Sequence, residues 1–161
     1  MNTEIKIVDN FLDQKDIQKI TTNNLTWNLQ TSNLGKGELT FLMSEKTDDK
    51  FFNTCLFDKV VDKLDKGSYE LERVYFNGQW NGREGSIHSD NCDITVLIYT
   101  SNYEYGWGGF TEIMTEPEPT LVYPIPNRLV IFPGNILHKA YSFAYQYCPI
   151  RTTLAFKINK K

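Results

Sequence analysis

The chain is short of the residues that usually announce a metal or redox protein. Among its 161 residues there are two histidines and three cysteines, Cys55, Cys92 and Cys148. An odd cysteine count with no CxxC pair argues against a disulfide framework or an all-cysteine zinc site, and points to a reducing, cytoplasmic setting. No apolar run approaches the roughly 20 residues that span a bilayer, so no membrane association is expected. The start, Met1-Asn2-Thr3-Glu4, has neither the basic residues nor the apolar stretch of a secretory signal. Positive charge is not in excess either: 17 Lys and Arg stand against 20 Asp and Glu, a net −3, which gives no electrostatic reason to expect nucleic acid as a partner. All six prolines and most of the ten glycines follow residue 77, so turns should crowd the second half.

Aromatics, by contrast, are plentiful, with nine Tyr and ten Phe, as suits a β-rich core. Asp13 is placed to N-cap a helix through about Asn23, with Ile17 and Ile20 on one face. Phe52, Leu56, Val60 and Leu64 recur every fourth residue and predict a second amphipathic helix over about 49–65. Between the two, residues 34–39 read as a turn before a strand at 39–43.

From Tyr69 the period becomes two. Strands are expected over 71–77, 86–88, 93–100, 109–114, 120–123, 128–132, 136–138 and 151–158, separated by turn signals such as Asn77-Gly78, Gly108-Gly109 and Pro133-Gly134. One domain spanning 1–161 follows, mainly β with N-terminal helices. Its helical support covers about 1–68 and its β core about 69–161. The arrangement expected is a double-sheet jelly roll with helices packed on one sheet.

Both histidines fall where chemistry is expected. In His88-Ser89-Asp90 an extended backbone turns imidazole and carboxylate to one face. His138 follows the turn Pro133-Gly134-Asn135. Two histidines and one carboxylate on one face of a metal form the facial triad of non-haem Fe(II) oxygenases; alone, His138 reads rather as a hydrogen-bonded core histidine. Thirteen residues beyond it, Arg151 opens the last strand, whose alternation sets Arg151, Thr153, Ala155 and Lys157 on one face and Leu154, Phe156 and Ile158 on the other. A guanidinium facing inward needs a partner, and a dicarboxylate would supply one. The plainer reading is an arginine reaching out to a surface carboxylate.

Four blocks in order carry a resemblance over about Leu71 to Lys157: Gly85-Ser86-Ile87-His88-Ser89-Asp90; Asp93 to Tyr99; Trp107-Gly108-Gly109-Phe110-Thr111; and Arg128 to Asn135 leading to His138 and Arg151. In these the chain resembles the 2-oxoglutarate- and Fe(II)-dependent oxygenases, in their prolyl 4-hydroxylase-like branch. The resemblance implies a double-stranded β-helix with His88, Asp90 and His138 as catalytic iron ligands. It implies Arg151 on the C5 carboxylate of 2-oxoglutarate, with Tyr99, Thr153 and Tyr75 as hydroxyl donors around the cosubstrate. Lys157, near the strand end, is the lesser alternative to Arg151.

The activity implied is Fe(II)-, 2-oxoglutarate- and O2-dependent hydroxylation of a peptide or protein residue, with proline the leading substrate. Trp107 and Arg83 are candidate substrate contacts, each with a bland alternative, a capped core for the first and a solvated turn for the second. Tyr141, Phe143, Tyr145 and Tyr147 alternate as in an edge strand. Two rivals remain at this level, a catalytically idle jelly-roll binding module and a His-Asp-His zinc hydrolase.

Overall fold

In the computed structural model, which describes residues 4–31, 40–145 and 149–161, the longest strand pairing joins β4 (Tyr69–Gln79) to β10 (Arg151–Lys160). On its other edge β10 pairs with β5 (Ile94–Tyr99), which pairs in turn with β8 (Leu129–Pro133). Outside β8 lies β1 (Lys6–Val8); outside β4 lie β3 (Thr40–Glu45) and then β2 (Asn28–Thr31). This makes an antiparallel sheet of seven strands in the order β1-β8-β5-β10-β4-β3-β2. A smaller sheet, β7-β6-β9, consists of β6 (Thr111–Ile113), β7 (Thr120–Val122) and β9 (His138–Ala140).

Alternation along β5 and β10 divides the interior in two. Val96, Ile98, Leu154, Phe156 and Ile158 face the helical layer, where they meet Ile20, Phe52, Leu56 and Val60. Leu97, Tyr99 and Ala155 face the smaller sheet, packed with Ile113, Val122, Val130 and Phe132. The site is built on this second face.

Helix α1 (Gln14–Thr21) starts where expected, the Asp13 carboxylate accepting from the Asp16 N–H. The second helix is a π-helical turn over Phe51–Leu56 that continues as α2 (Phe57–Val61). Phe52, Leu56 and Val60 are fully buried, as their spacing predicts, but the helix stops at Val61 rather than near 65. There Lys63 and Leu64 bond back three residues instead of four, tightening the last turn.

Several strand expectations need correction. Residues 86–88 form no strand; His88 makes a single antiparallel bridge with His138. The segment expected at 136–138 starts instead at His138, because the Ile136 N–H turns back to the Pro133 carbonyl. Asn77-Gly78 is no turn: β4 runs through it, and Gly78 leaves room for the Trp27 indole, which a Cβ would approach to 3.2 Å. Strands β1 and β2 were not expected. The alternating aromatics 141–147 form no strand among the described residues; Phe143 bridges Gly108 and is buried, while Tyr147, like Cys148 and the turn at 34–39, lies outside the described residues.

Candidate metal and dicarboxylate site

Two loops deliver the donors. Gly134 is packed so closely on Cys92 that a Cβ would fall 2.2 Å from the Cys92 carbonyl oxygen. That closeness lets the Asp90 N–H donate to the Gly134 carbonyl at 2.7 Å, while the Gly134 N–H donates to Asp93 at 3.0 Å. Two bonds between the main chains of His88 and His138, 3.1 and 2.8 Å, tie the other ends of the loops together. The Pro133-Gly134 turn is therefore the fixture that brings residue 90 beside residue 138.

The ligating atoms available on His88, Asp90 and His138 all lie within 4.8 Å of one another. Nδ1 of His88 lies 2.8 Å from the Ser86 carbonyl and Nδ1 of His138 lies 2.9 Å from the Ile136 carbonyl. A carbonyl can only accept, so each Nδ1 carries a proton and Nε2 is the ring atom turned toward the candidate metal position. Both Nε2 atoms face the Asp90 carboxylate, His88 at 3.8 Å from Oδ1 and His138 at 3.4 Å from Oδ2. Burial lowers the His138 pKa to about 4, against the pull of Asp90, so the ring is neutral at physiological pH. Burial alone would raise the Asp90 carboxyl, but the Lys157 ammonium and His138 beside it hold it below the usual carboxylate range. Two imidazoles and one carboxylate, anchored from behind, suit a divalent metal with open positions.

This cluster opens on a cavity of about 420 Å³, walled in part by Phe41, Tyr75, Asn77, Gln79, Thr111, Arg151, Thr153 and Lys157. Arg151 is 1% exposed. Its Nε donates to the Gly109 carbonyl at 2.5 Å, one terminal nitrogen to Gln79 Oε1 at 2.7 Å and the other to Thr111 Oγ1 at 2.8 Å. All three acceptors are neutral. No carboxylate pairs with this cation among the described residues, and two of its five N–H groups are left over. Gly109 has φ +73°, and a Cβ there would lie 2.5 Å from the Phe143 ring; only glycine carries the chain past that ring to offer Arg151 its carbonyl.

The other residues singled out from the sequence divide. Thr153 and Tyr75 line the cavity. Tyr99 is fully buried against Arg151, its ring centre 5.3 Å from the guanidinium carbon, and its hydroxyl is committed to Thr111 at 2.7 Å and the Val122 carbonyl at 3.3 Å. It supports the arginine rather than lining the cavity. Trp107 packs edge-on to Phe143 at 5.3 Å and Arg83 is exposed on a turn; neither is on the cavity wall.

Three contributors escaped the sequence reading. Gln79 belongs to the same alternation as Tyr75 and Asn77 and becomes legible once β4 is carried through Gly78. Thr95, opposite Phe132 in the β5–β8 pairing, donates to Asp90 Oδ2 at 2.5 Å. Lys157, expected only as the lesser alternative to Arg151, reaches the same oxygen.

No protein-family model matches the sequence, and a search of curated proteins finds no match. Solved structures do match. An oxidoreductase of the 2OG-Fe(II) oxygenase family from Burkholderia pseudomallei superposes with a TM-score of 0.78 over 98% of this chain and 86% of its own, at 11% identity. The fold is that of the 2-oxoglutarate and Fe(II) oxygenases. HygX from Streptomyces hygroscopicus, with nickel and 2-oxoglutarate bound, matches at 0.72 over 98% of this chain and 83% of its own, at 10% identity. A prolyl hydroxylase from Trichoplax adhaerens, in complex with a hypoxia-inducible-factor peptide fragment, matches at 0.69 over 98% and 84%, at 16% identity. The β-helix expected from the sequence is thus the fold observed. Among the described residues no helix is long and apolar enough to cross a membrane.

Proposed function

We propose that this chain is an Fe(II)- and 2-oxoglutarate-dependent oxygenase that hydroxylates a neutral residue, with proline the leading candidate, in a peptide or protein. The observation that carries the reading is the pairing, in one cavity, of a His-Asp-His donor cluster with a buried guanidinium that meets no carboxylate among the described residues. A cation so deeply buried is unfavourable unless paired, and a dicarboxylate ligand would supply its partner. His88, Asp90 and His138 would hold the metal, and Arg151 would fork onto the C5 carboxylate of 2-oxoglutarate. Thr153 and Tyr75 offer hydroxyls from the wall. Bound iron, with 2-oxoglutarate and O2, would supply the oxidising chemistry; the chain orients the reactants and excludes water.

The neutral substrate is argued from the wall. Apart from Asp90, which is read as a metal ligand and is paired with Lys157, the described wall carries no carboxylate, so a lysine or arginine substrate would find no partner there. Phe41, Tyr75 and Leu97 offer an apolar surface to a proline ring. The peptide held by the Trichoplax prolyl hydroxylase supports the substrate class. The same lack of a carboxylate weighs against a zinc hydrolase, which needs a general base, and an idle binding module has no use for the triad and the arginine together. Anaerobic loading with Fe(II) and 2-oxoglutarate, then exposure to air with proline-containing peptides, should release succinate and add one oxygen to the peptide by mass spectrometry. His88→Ala, Asp90→Ala and His138→Ala should each abolish both. Wild-type turnover in any one of them would remove that residue from the triad, and no consumption of 2-oxoglutarate by the wild type with any peptide would overturn the assignment.

A further inference from the structure

Lys157 occupies an unusual place for a lysine. It lies on the inner face of β10, six residues beyond Arg151, roughly 20 Å along the strand. In the pairings it stands opposite Thr95 on β5 and Arg73 on β4, and the β4–β10 register breaks between Lys157 and Ile158. Such irregularities bend a strand and re-aim side chains near sites. The Lys157 side chain is 12% exposed and that of Asp90 10%. Holding a long, flexible ammonium in such a place costs solvation and rotamer freedom, so its partner matters.

That partner is one oxygen of one carboxylate. The ammonium donates to Oδ2 of Asp90, which also accepts from the Thr95 hydroxyl at 2.5 Å. Lys157 and Thr95 lie 3.5 Å apart, so two donors from adjacent strands converge on the same atom. Oδ1 receives no protein donor among the described residues and faces Nε2 of His88 at 3.8 Å. No hydrogen bond joins Lys157 to either imidazole among the described residues.

We infer that Lys157, together with Thr95, is a positioning residue that occupies Asp90 Oδ2 and leaves Oδ1 as the single oxygen offered to the metal. The inference rests on reading His88, Asp90 and His138 as a metal site. A carboxylate free to rotate would present both oxygens and take up a position needed by cosubstrate or O2. The opposite expectation is just as concrete: an ammonium beside a divalent cation repels it, and if repulsion dominates, removing Lys157 will tighten metal binding.

The test is Mn(II) titration of the full chain, with free Mn(II) followed by electron paramagnetic resonance and thermal unfolding measured in parallel. Lys157→Met keeps the stem and removes the donor, and should weaken Mn(II) binding roughly 10- to 100-fold, as loss of a partner behind a ligand does elsewhere. Lys157→Arg restores charge and donor and should recover most of that loss. Thr95→Val keeps shape and removes only the hydroxyl; it should weaken binding by a factor of roughly three or more, and it carries the test alone if Lys157→Met does not fold. Unchanged or tighter Mn(II) binding in Lys157→Met, no recovery in Lys157→Arg, or wild-type binding in Thr95→Val overturns the inference. Absence of Mn(II) binding by the wild type would instead overturn the metal-site reading on which it rests.

Discussion

Taking the metal-free protein from pH 7.5 to 5.0 should remove about 2 kcal/mol of stability through a single imidazole. His138 is 5% exposed, and burial lowers its pKa from 6.5 to about 4. Unfolded, the ring takes up a proton as the pH falls through 6.5; folded, it resists until about 4. Between those values the unfolded chain binds more protons, so the stability conferred by the neutral ring is complete above 6.5 and fades as the pH falls. The whole interval is worth about 3 kcal/mol, at about 1.36 kcal/mol per pH unit, and roughly two-thirds of it is gone by pH 5.0. Asp90 acts lower down: its carboxyl is held below the usual range, so its stabilisation persists above that range and is lost only as pH falls through the depressed value. Urea unfolding in EDTA, followed by tryptophan fluorescence at the two pH values, measures the difference. His138→Gln cannot take up the proton and should lose most of the pH dependence; His88 is the only other histidine in the chain. Equal stability of the wild type at both pH values, or an undiminished loss in His138→Gln, would refute the reasoning.

Arg151→Ala should weaken binding of 2-oxoglutarate to the Mn(II)-loaded protein by roughly 10- to 100-fold, with Arg151→Lys recovering part, because an ammonium keeps the charge but not the fork; isothermal titration reads both, and unchanged affinity in Arg151→Ala would remove the clamp. Gly109→Ala sets a Cβ 2.5 Å from the Phe143 ring at φ +73°, and should lower stability by about 3 kcal/mol in urea unfolding, part of which Phe143→Leu should restore. Phe52→Ala empties a fully buried site between the helical layer and Phe76 and should cost about 3–5 kcal/mol, seen as a lower melting temperature.

What could be read from the sequence was what depends on scarce residue types and strict alternation. With two histidines in the chain, His88 and His138 stood out, and β10 alternates so regularly that its inner face was plain. The parts that stayed hidden depend on distant pairing. Lys6–Val8 is too short and Asn28–Thr31 too polar to signal strands; they are strands because β8 and β3 offer them an edge. Gln79 was hidden by Asn77-Gly78, a pair that usually turns but here makes room for Trp27. Lys157 stood on the same inner face of β10, but a lysine near a strand end is ordinarily solvated and nothing local pointed it to Asp90. Its role becomes visible only when residue 90 folds across sixty-seven positions to meet it.

The place of β10 also bears on how such a chain is made. It follows every other strand in sequence, yet it lies between β5 and β4 at the middle of the large sheet. While the ribosome is still working, β4 and β5 each expose an unsatisfied edge, and the apolar faces of Val74, Phe76, Val96 and Ile98 lack the strand that joins them. Arg151, which braces the cavity, arrives on that same strand. A nascent chain halted before residue 151 therefore carries all three candidate metal donors but lacks the central strand that joins the two halves of the large sheet. It would be a client for chaperones and proteases rather than a partly active enzyme.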